Sequence, residues 1–125
     1  MTDYSVLLVE DDPFNRDILR EILDEIDCCA VVEKPNGAQA LAWLNANPSP
    51  HVILLDMMMP EMDGYQLLDH LRAAGRLDGI RVIGISARAH THDQEKALGA
   101  GCWRYLTKPF NINEVEQAVR DALEE

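Results

Sequence analysis

Val6-Leu7-Leu8-Val9 runs straight into Glu10-Asp11-Asp12-Pro13, and the fold is read from that junction. Four consecutive apolar residues, β-branched or leucine, are the pattern of a strand covered on both faces, as in a parallel sheet. The acidic triplet ends it abruptly. Asp12 before Pro13 is a helix start, with Asp as the cap and Pro at the first helical position, where a missing N–H costs nothing. Phe14, Ile18, Leu19, Ile22, Leu23 and Ile26 then recur at helical spacing.

Working outward, the same alternation repeats. Ala30 to Glu33 reads as a second strand, Asn36-Gly37 as a cap, and Ala38 to Leu44 as a helix closed by Asn47-Pro48. His51 to Leu55 is a third strand ending at Asp56, and Tyr65 to Ala74 a helix stopped by Gly75. Arg81 to Ile85 is a fourth strand. Thr91 with Gln94 reads as a capping box for a helix through Leu98, ended by Gly99 and Gly101. Trp103 to Leu106 is a fifth strand, and Asn111 with Glu114 caps a last helix along Val115, Ala118, Val119, Ala122 and Leu123. Strand and helix alternating in this way imply an α/β fold, a doubly wound five-stranded parallel sheet of flavodoxin-like (βα)5 type in the order 2-1-3-4-5. Ligands of such sheets bind beyond the carboxyl ends of the strands, where strand order reverses, here between the first and third.

Composition bounds what such a fold does. At 125 residues with 47% hydrophobic and 26% charged side chains, the chain is expected to form one domain over residues 1–125. Its 22 acidic against 11 basic residues give a net charge of -11, which repels nucleic acid and anionic lipid. Three cysteines without framework spacing fit a reducing compartment. Met1 to Glu10 carries no basic region and no long apolar run, so neither a signal peptide nor membrane insertion is expected, and cytoplasmic residence follows.

The residues at the strand ends are all polar: Glu10 and Asp11, Asp56, Ser86 and Lys108. Carboxylates gathered in a partly dry crevice raise one another's pKa, so an ionised cluster needs a cation. Mg²⁺, with Mn²⁺ as substitute, suits oxygen donors, and Asp11 and Asp56 fit as direct ligands. Three carboxylates are then balanced by the metal and the Lys108 ammonium, an arrangement for phosphoryl transfer.

Val9-Glu10-Asp11-Asp12, Asp56-Met57-Met58-Met59-Pro60-Glu61-Met62-Asp63-Gly64, Ser86-Ala87 and Lys108-Pro109-Phe110 together resemble the motifs of bacterial response-regulator receiver domains, over essentially the whole chain. The resemblance implies that Asp56 is the phosphoacceptor, that Asp11 and the Met58 carbonyl ligate Mg²⁺, and that Glu10 contributes through a bound water. It also implies that Lys108 grips the phosphoryl group through a cis Lys108–Pro109 bond, that Ser86 turns toward the new oxygens, and that Tyr105 changes its exposure. Two positions depart from the commoner pattern: Glu10 stands where aspartate is usual, and Ser86 where threonine is frequent. The function implied is a switch phosphorylated by a histidine kinase or histidine phosphotransfer protein, altering the surface of helix four, strand five and helix five for a downstream effector. It is not a turnover enzyme; it is a monomer or a weak phosphorylation-dependent dimer, acting alone or as the receiver module of a hybrid histidine kinase.

Several residues have a plainer reading. Asp12 and Asp63 are helix caps, Met57 to Met59 loop and packing residues, and His90 and His92 solvated loop side chains without further ligands. Cys28 and Cys29 line the end of the first helix, with no flanking cation to lower their pKa. Phe14, Asn15 and Ile18 are docking residues for the donor, and Trp103 is either core or an anchor for a partner. Arg88, two residues after Ser86, borders the site and would tune hydrolysis. A flavodoxin-like cofactor binder needs a Ser/Thr/Gly-rich first loop, where this chain has Glu10-Asp11-Asp12. An aspartyl-phosphate hydrolase would show Asp-x-Asp-x-Thr there, and a non-phosphorylated pseudo-receiver acting as a binding module is separated by a phosphodonor assay.

Overall fold

The computed structural model describes residues 4–27 and 29–124. Five strands, β1 (Tyr4–Val9), β2 (Cys29–Lys34), β3 (Val52–Asp56), β4 (Arg81–Ser86) and β5 (Arg104–Thr107), alternate with five helices. The helices are α1 (Pro13–Asp24), α2 (Gly37–Ala46), α3 (Gly64–Ala73), α4 (Thr91–Ala100) and α5 (Ile112–Glu124), with a short 3₁₀ turn at Leu77–Gly79. All neighbouring strands are parallel, in the order β2-β1-β3-β4-β5, as the alternation predicts.

Because side chains alternate across a strand, each apolar run feeds two cores. Leu7, Val9, Ile53, Leu55 and Val82 face α2, α3 and α4, meeting Ala40, Leu44, Leu67, Leu68, Leu71 and Ala97. Val6, Leu8, Val52, Leu54, Ile83, Ile85 and Leu106 face the other way, onto α1 and α5 through Leu19, Ile22, Leu23, Val115 and Val119. This explains why the strands read as continuous apolar runs: both faces are covered. Gly84, in the middle of β4, has a packing reason as well. A Cβ there would come within 2.9 Å of Cys102 Sγ and 3.2 Å of Met57 Cγ.

The caps follow the sequence with one exception. Asp12 Oδ1 accepts from Phe14 N at 3.2 Å, Asn36 from Gln39 N at 2.8 Å, and Asn111 from Glu114 N at 3.1 Å. Asp63 and Gln66 form a reciprocal capping box. The expected box at Thr91 is not the start of α4: His90 is the cap, without a side-chain bond, and Thr91 is the first helical residue. The main chain sets the boundary, since Asp93 N and Gln94 N both bond the His90 carbonyl. Gly99 lies within that helix, which ends at Gly101 with φ +120°. β5 begins one residue later than expected, at Arg104, although Trp103 N already bonds the Val82 carbonyl at 2.7 Å. Cys28 and the side chain of Cys29 lie outside the described residues. No helix among the described residues is long and apolar enough to cross a membrane.

Candidate functional site

In a parallel sheet all strands deliver their last residues to the same edge. Glu10 and Asp11 follow β1, Asp56 ends β3, Ser86 ends β4, and Lys108 follows β5. Carboxylate oxygens of Glu10, Asp11 and Asp56 all lie within 4.8 Å of one another. Glu10 is 0% and Asp56 3% exposed, whereas Asp11 faces solvent.

One ammonium serves the two buried carboxylates. Lys108 Nζ is 3.0 Å from Glu10 Oε1 and 3.3 Å from Asp56 Oδ2. The first contact lacks the alignment of a hydrogen bond, so Glu10 Oε1 is a buried oxygen with an ionic neighbour and no hydrogen-bond donor. Glu10 Oε2 accepts from Asp12 N at 3.1 Å, and Asp56 Oδ1 from Met58 N at 3.0 Å. Burial, then the hydrogen bond and charge of Asp56, push the Glu10 carboxyl up to about 7, against the Asp12 N–H and Lys108. Burial likewise raises Asp56 above the ordinary carboxylate value, outweighing Glu10, the Met58 N–H and Lys108. Burial pulls Lys108 down, but the two carboxylates prevail and hold its pKa above that of an ordinary lysine. The cluster is therefore short of positive charge. An under-donated buried oxygen among three convergent carboxylates is a fit for a hard divalent cation with oxygen ligands.

The other predicted residues assemble around this cluster. The Lys108–Pro109 peptide is cis. Ser86, 1% exposed, accepts on Oγ from Arg88 N at 3.1 Å, and Tyr105 OH donates to the Arg88 carbonyl at 2.5 Å. Ser86 and Tyr105 thus bond opposite ends of one residue, a link that no spacing in the sequence announces. Phe14, 70% exposed, forms with Asn15, Ile18, Phe110 and Ile112 a groove of about 560 Å³ that reaches Lys108 and Ala87. Trp103 is elsewhere: half-buried at the amino end of β5, it packs on the α1/α5 core, with the guanidinium carbons of Arg104 and Arg81 at 4.3 and 5.1 Å from its ring.

His90, His92, His51 and Cys102 lie outside the carboxylate cluster. His90 and His92 are exposed. His51 Nδ1 accepts from Ser5 N at 3.0 Å. Burial pushes the Cys102 thiol up to about 12, leaving it protonated and inert. The sequence reading missed Arg16, whose Nη1 donates to the Glu10 carbonyl at 2.8 Å, and it missed the close packing at Gly84. A glycine inside an otherwise apolar strand is itself a signal of close approach.

Comparison with known proteins agrees with this geometry. The chain is 34% identical to response regulator Rre1 of Synechocystis over 95% of its own length, and spans about half, 51%, of that relative. It is 33% identical to an uncharacterized 14.6 kDa protein of Leptolyngbya boryana, covering 96% of this chain and 90% of the other. The receiver domain of the Francisella response regulator 1452 superposes with a TM-score of 0.88 at 31% identity, covering 98% of each chain. Residues 6–120 match the model of the response regulator receiver domain, and the chain belongs to that family.

Proposed function

We propose that this chain is a phosphorylation switch in which Asp56 takes a phosphoryl group from a phosphohistidine donor with the help of Mg²⁺. The observation that carries the reading is the buried Asp56 carboxylate beside Glu10, Asp11 and a single ammonium. A carboxylate oxygen of Asp56 forms the new bond to phosphorus, the P–N bond to the donor imidazole breaks, and the leaving nitrogen keeps the electron pair and takes a proton. Asp11, Asp56 and the Met58 carbonyl would hold the metal, with Glu10 as an indirect contributor. Bound there, Mg²⁺ supplies positive charge for the phosphoryl oxygens and the crowded carboxylates. Lys108 moves its attraction from the free carboxylate to the incoming phosphoryl group.

Ser86 donates its hydroxyl proton to a phosphoryl oxygen while Oγ keeps the Arg88 N–H, so the bias reaches Tyr105 through Arg88. The groove at Phe14, Asn15 and Ile18 receives the donor, a histidine kinase or phosphotransfer protein, and Phe14→Ala slows transfer. The surface of α4, β5 and α5 serves the effector, and Trp103 at the amino end of β5 anchors a partner away from the donor groove. Arg88 shields the acyl phosphate from water; a longer phosphoryl lifetime in the parent than in Arg88→Ala supports this, and equal lifetimes overturn it.

The test is incubation with acetyl phosphate and Mg²⁺ followed by intact mass. The expected result is one added phosphoryl group, absent in Asp56→Asn and in chelator. An unmodified parent at saturating donor replaces this reading with that of a binding module.

A further inference from the structure

We infer that Arg16 is a positioning residue for the metal site, acting through the main chain of Glu10; this rests on the reading that the carboxylate cluster holds Mg²⁺. Arg16 lies in the first turns of α1, and helical side chains lean toward the helix amino terminus, so its guanidinium reaches back over the Glu10-Asp11-Asp12 turn. There Nη1 donates to the Glu10 carbonyl at 2.8 Å, while Nε lies 3.8 Å from Glu33 Oε1 on β2. The main chain is thus held on both sides of the Glu10 Cα, because the Glu10 N–H donates to the Lys34 carbonyl at 3.3 Å.

A cation at the start of a helix opposes the helix dipole, so general helix stability does not explain the placement. Repulsion does. The turn carries two of the three converging carboxylates, Glu10 and Asp11, and Asp56 pushes against both before any cation arrives. A charge-assisted bond from a half-buried guanidinium is stronger than a neutral one and holds the turn against that push. The ligands are then in place before the ion binds, and outer contacts of this kind change metal affinity by about 10–100-fold.

Arg16→Met keeps the stem and removes the donors, and Arg16→Lys keeps one donor. Mg²⁺ affinity is measured by calorimetry on variants shown folded by circular dichroism, and the rate of phosphorylation by acetyl phosphate is followed against Mg²⁺ concentration. The expected result for Arg16→Met is about tenfold weaker Mg²⁺ binding, with the rate at saturating Mg²⁺ within about twofold of the parent. Arg16→Lys recovers part of the affinity, and Glu33→Gln matches the parent. Parent-like affinity in Arg16→Met overturns the inference, as does a loss of equal size in Glu33→Gln, or a saturating rate that falls as far as the affinity. A parent that binds no Mg²⁺ sinks the metal reading itself, which is a different result from a binding parent with an indifferent Arg16→Met.

Discussion

The two ends of the sheet satisfy their polar groups in different ways. At the amino end, where helices finish, arginines meet carbonyls: Arg76 donates Nη1 to the Leu44 carbonyl, Nη2 to the Asn47 carbonyl at 3.0 Å and Nε to Ser49 Oγ at 3.0 Å. Arg72 Nη2 does the same for Ala100 O at the end of α4, at 2.5 Å. Cations there complement the negative helix ends and leave their carbonyls paired. At the carboxyl end, three carboxylates converge and the two buried ones share one lysine. One end is closed by its own side chains, and the other is left open, with more carboxylates than cations. Burial of unbalanced carboxylates therefore costs stability at the second end and not at the first.

The largest effect that bears on this contrast is at the closed end. Arg76→Ala removes three donors and should lower stability in urea by about 3 kcal/mol, a charged hydrogen bond being worth about 1.5–3, with no change in Mg²⁺ affinity. A change in affinity would mean that the two ends are not independent. Nearly as large is the response of the open end to metal: Mg²⁺ at a hundredfold excess over its dissociation constant should raise stability by about 2.7 kcal/mol. Asp56→Asn should lose most of that gain in a thermal melt. Next comes Glu10→Gln, expected to stabilise the metal-free protein at pH 8 by about 1–2 kcal/mol, since a buried carboxylate short of donors no longer has to ionise.

The same origin fixes a pH dependence. Glu10 titrates at about 7 in the folded chain against an ordinary value of 4.5, so between these values the folded state binds the extra proton. Stability in chelator should then fall as pH rises from about 4.5 to 7, the reverse of the usual carboxylate, and Glu10→Gln should flatten the slope. Urea midpoints across that range decide it, and a rising curve would count against the buried cluster. The smallest effect is at the two ion pairs of Arg20 with Asp24 and Glu33 near the surface, where Arg20→Ala should cost below about 1 kcal/mol.

The residues that form the crevice were legible because topology does the work: once strands are parallel, whatever ends them must converge. Val6 to Val9, Val52 to Leu55 and Val82 to Ile85 were apolar enough on both faces to say so. The start of α4 was not legible, because Thr91 and Gln94 have the spacing of a box while His90 supplies the carbonyl that begins the helix. The hold of Arg16 on Glu10 and of Tyr105 on Arg88 depends on the path of a turn and of the β4–α4 loop, which residue types do not encode.

The bridge between Ser86 and Tyr105 is made only of peptide atoms: the N–H of residue 88 on one side and its carbonyl on the other. Any amino acid but proline offers both. On the function proposed above, that side chain could therefore be exchanged to set how long the phosphoryl group lasts without breaking either hydrogen bond.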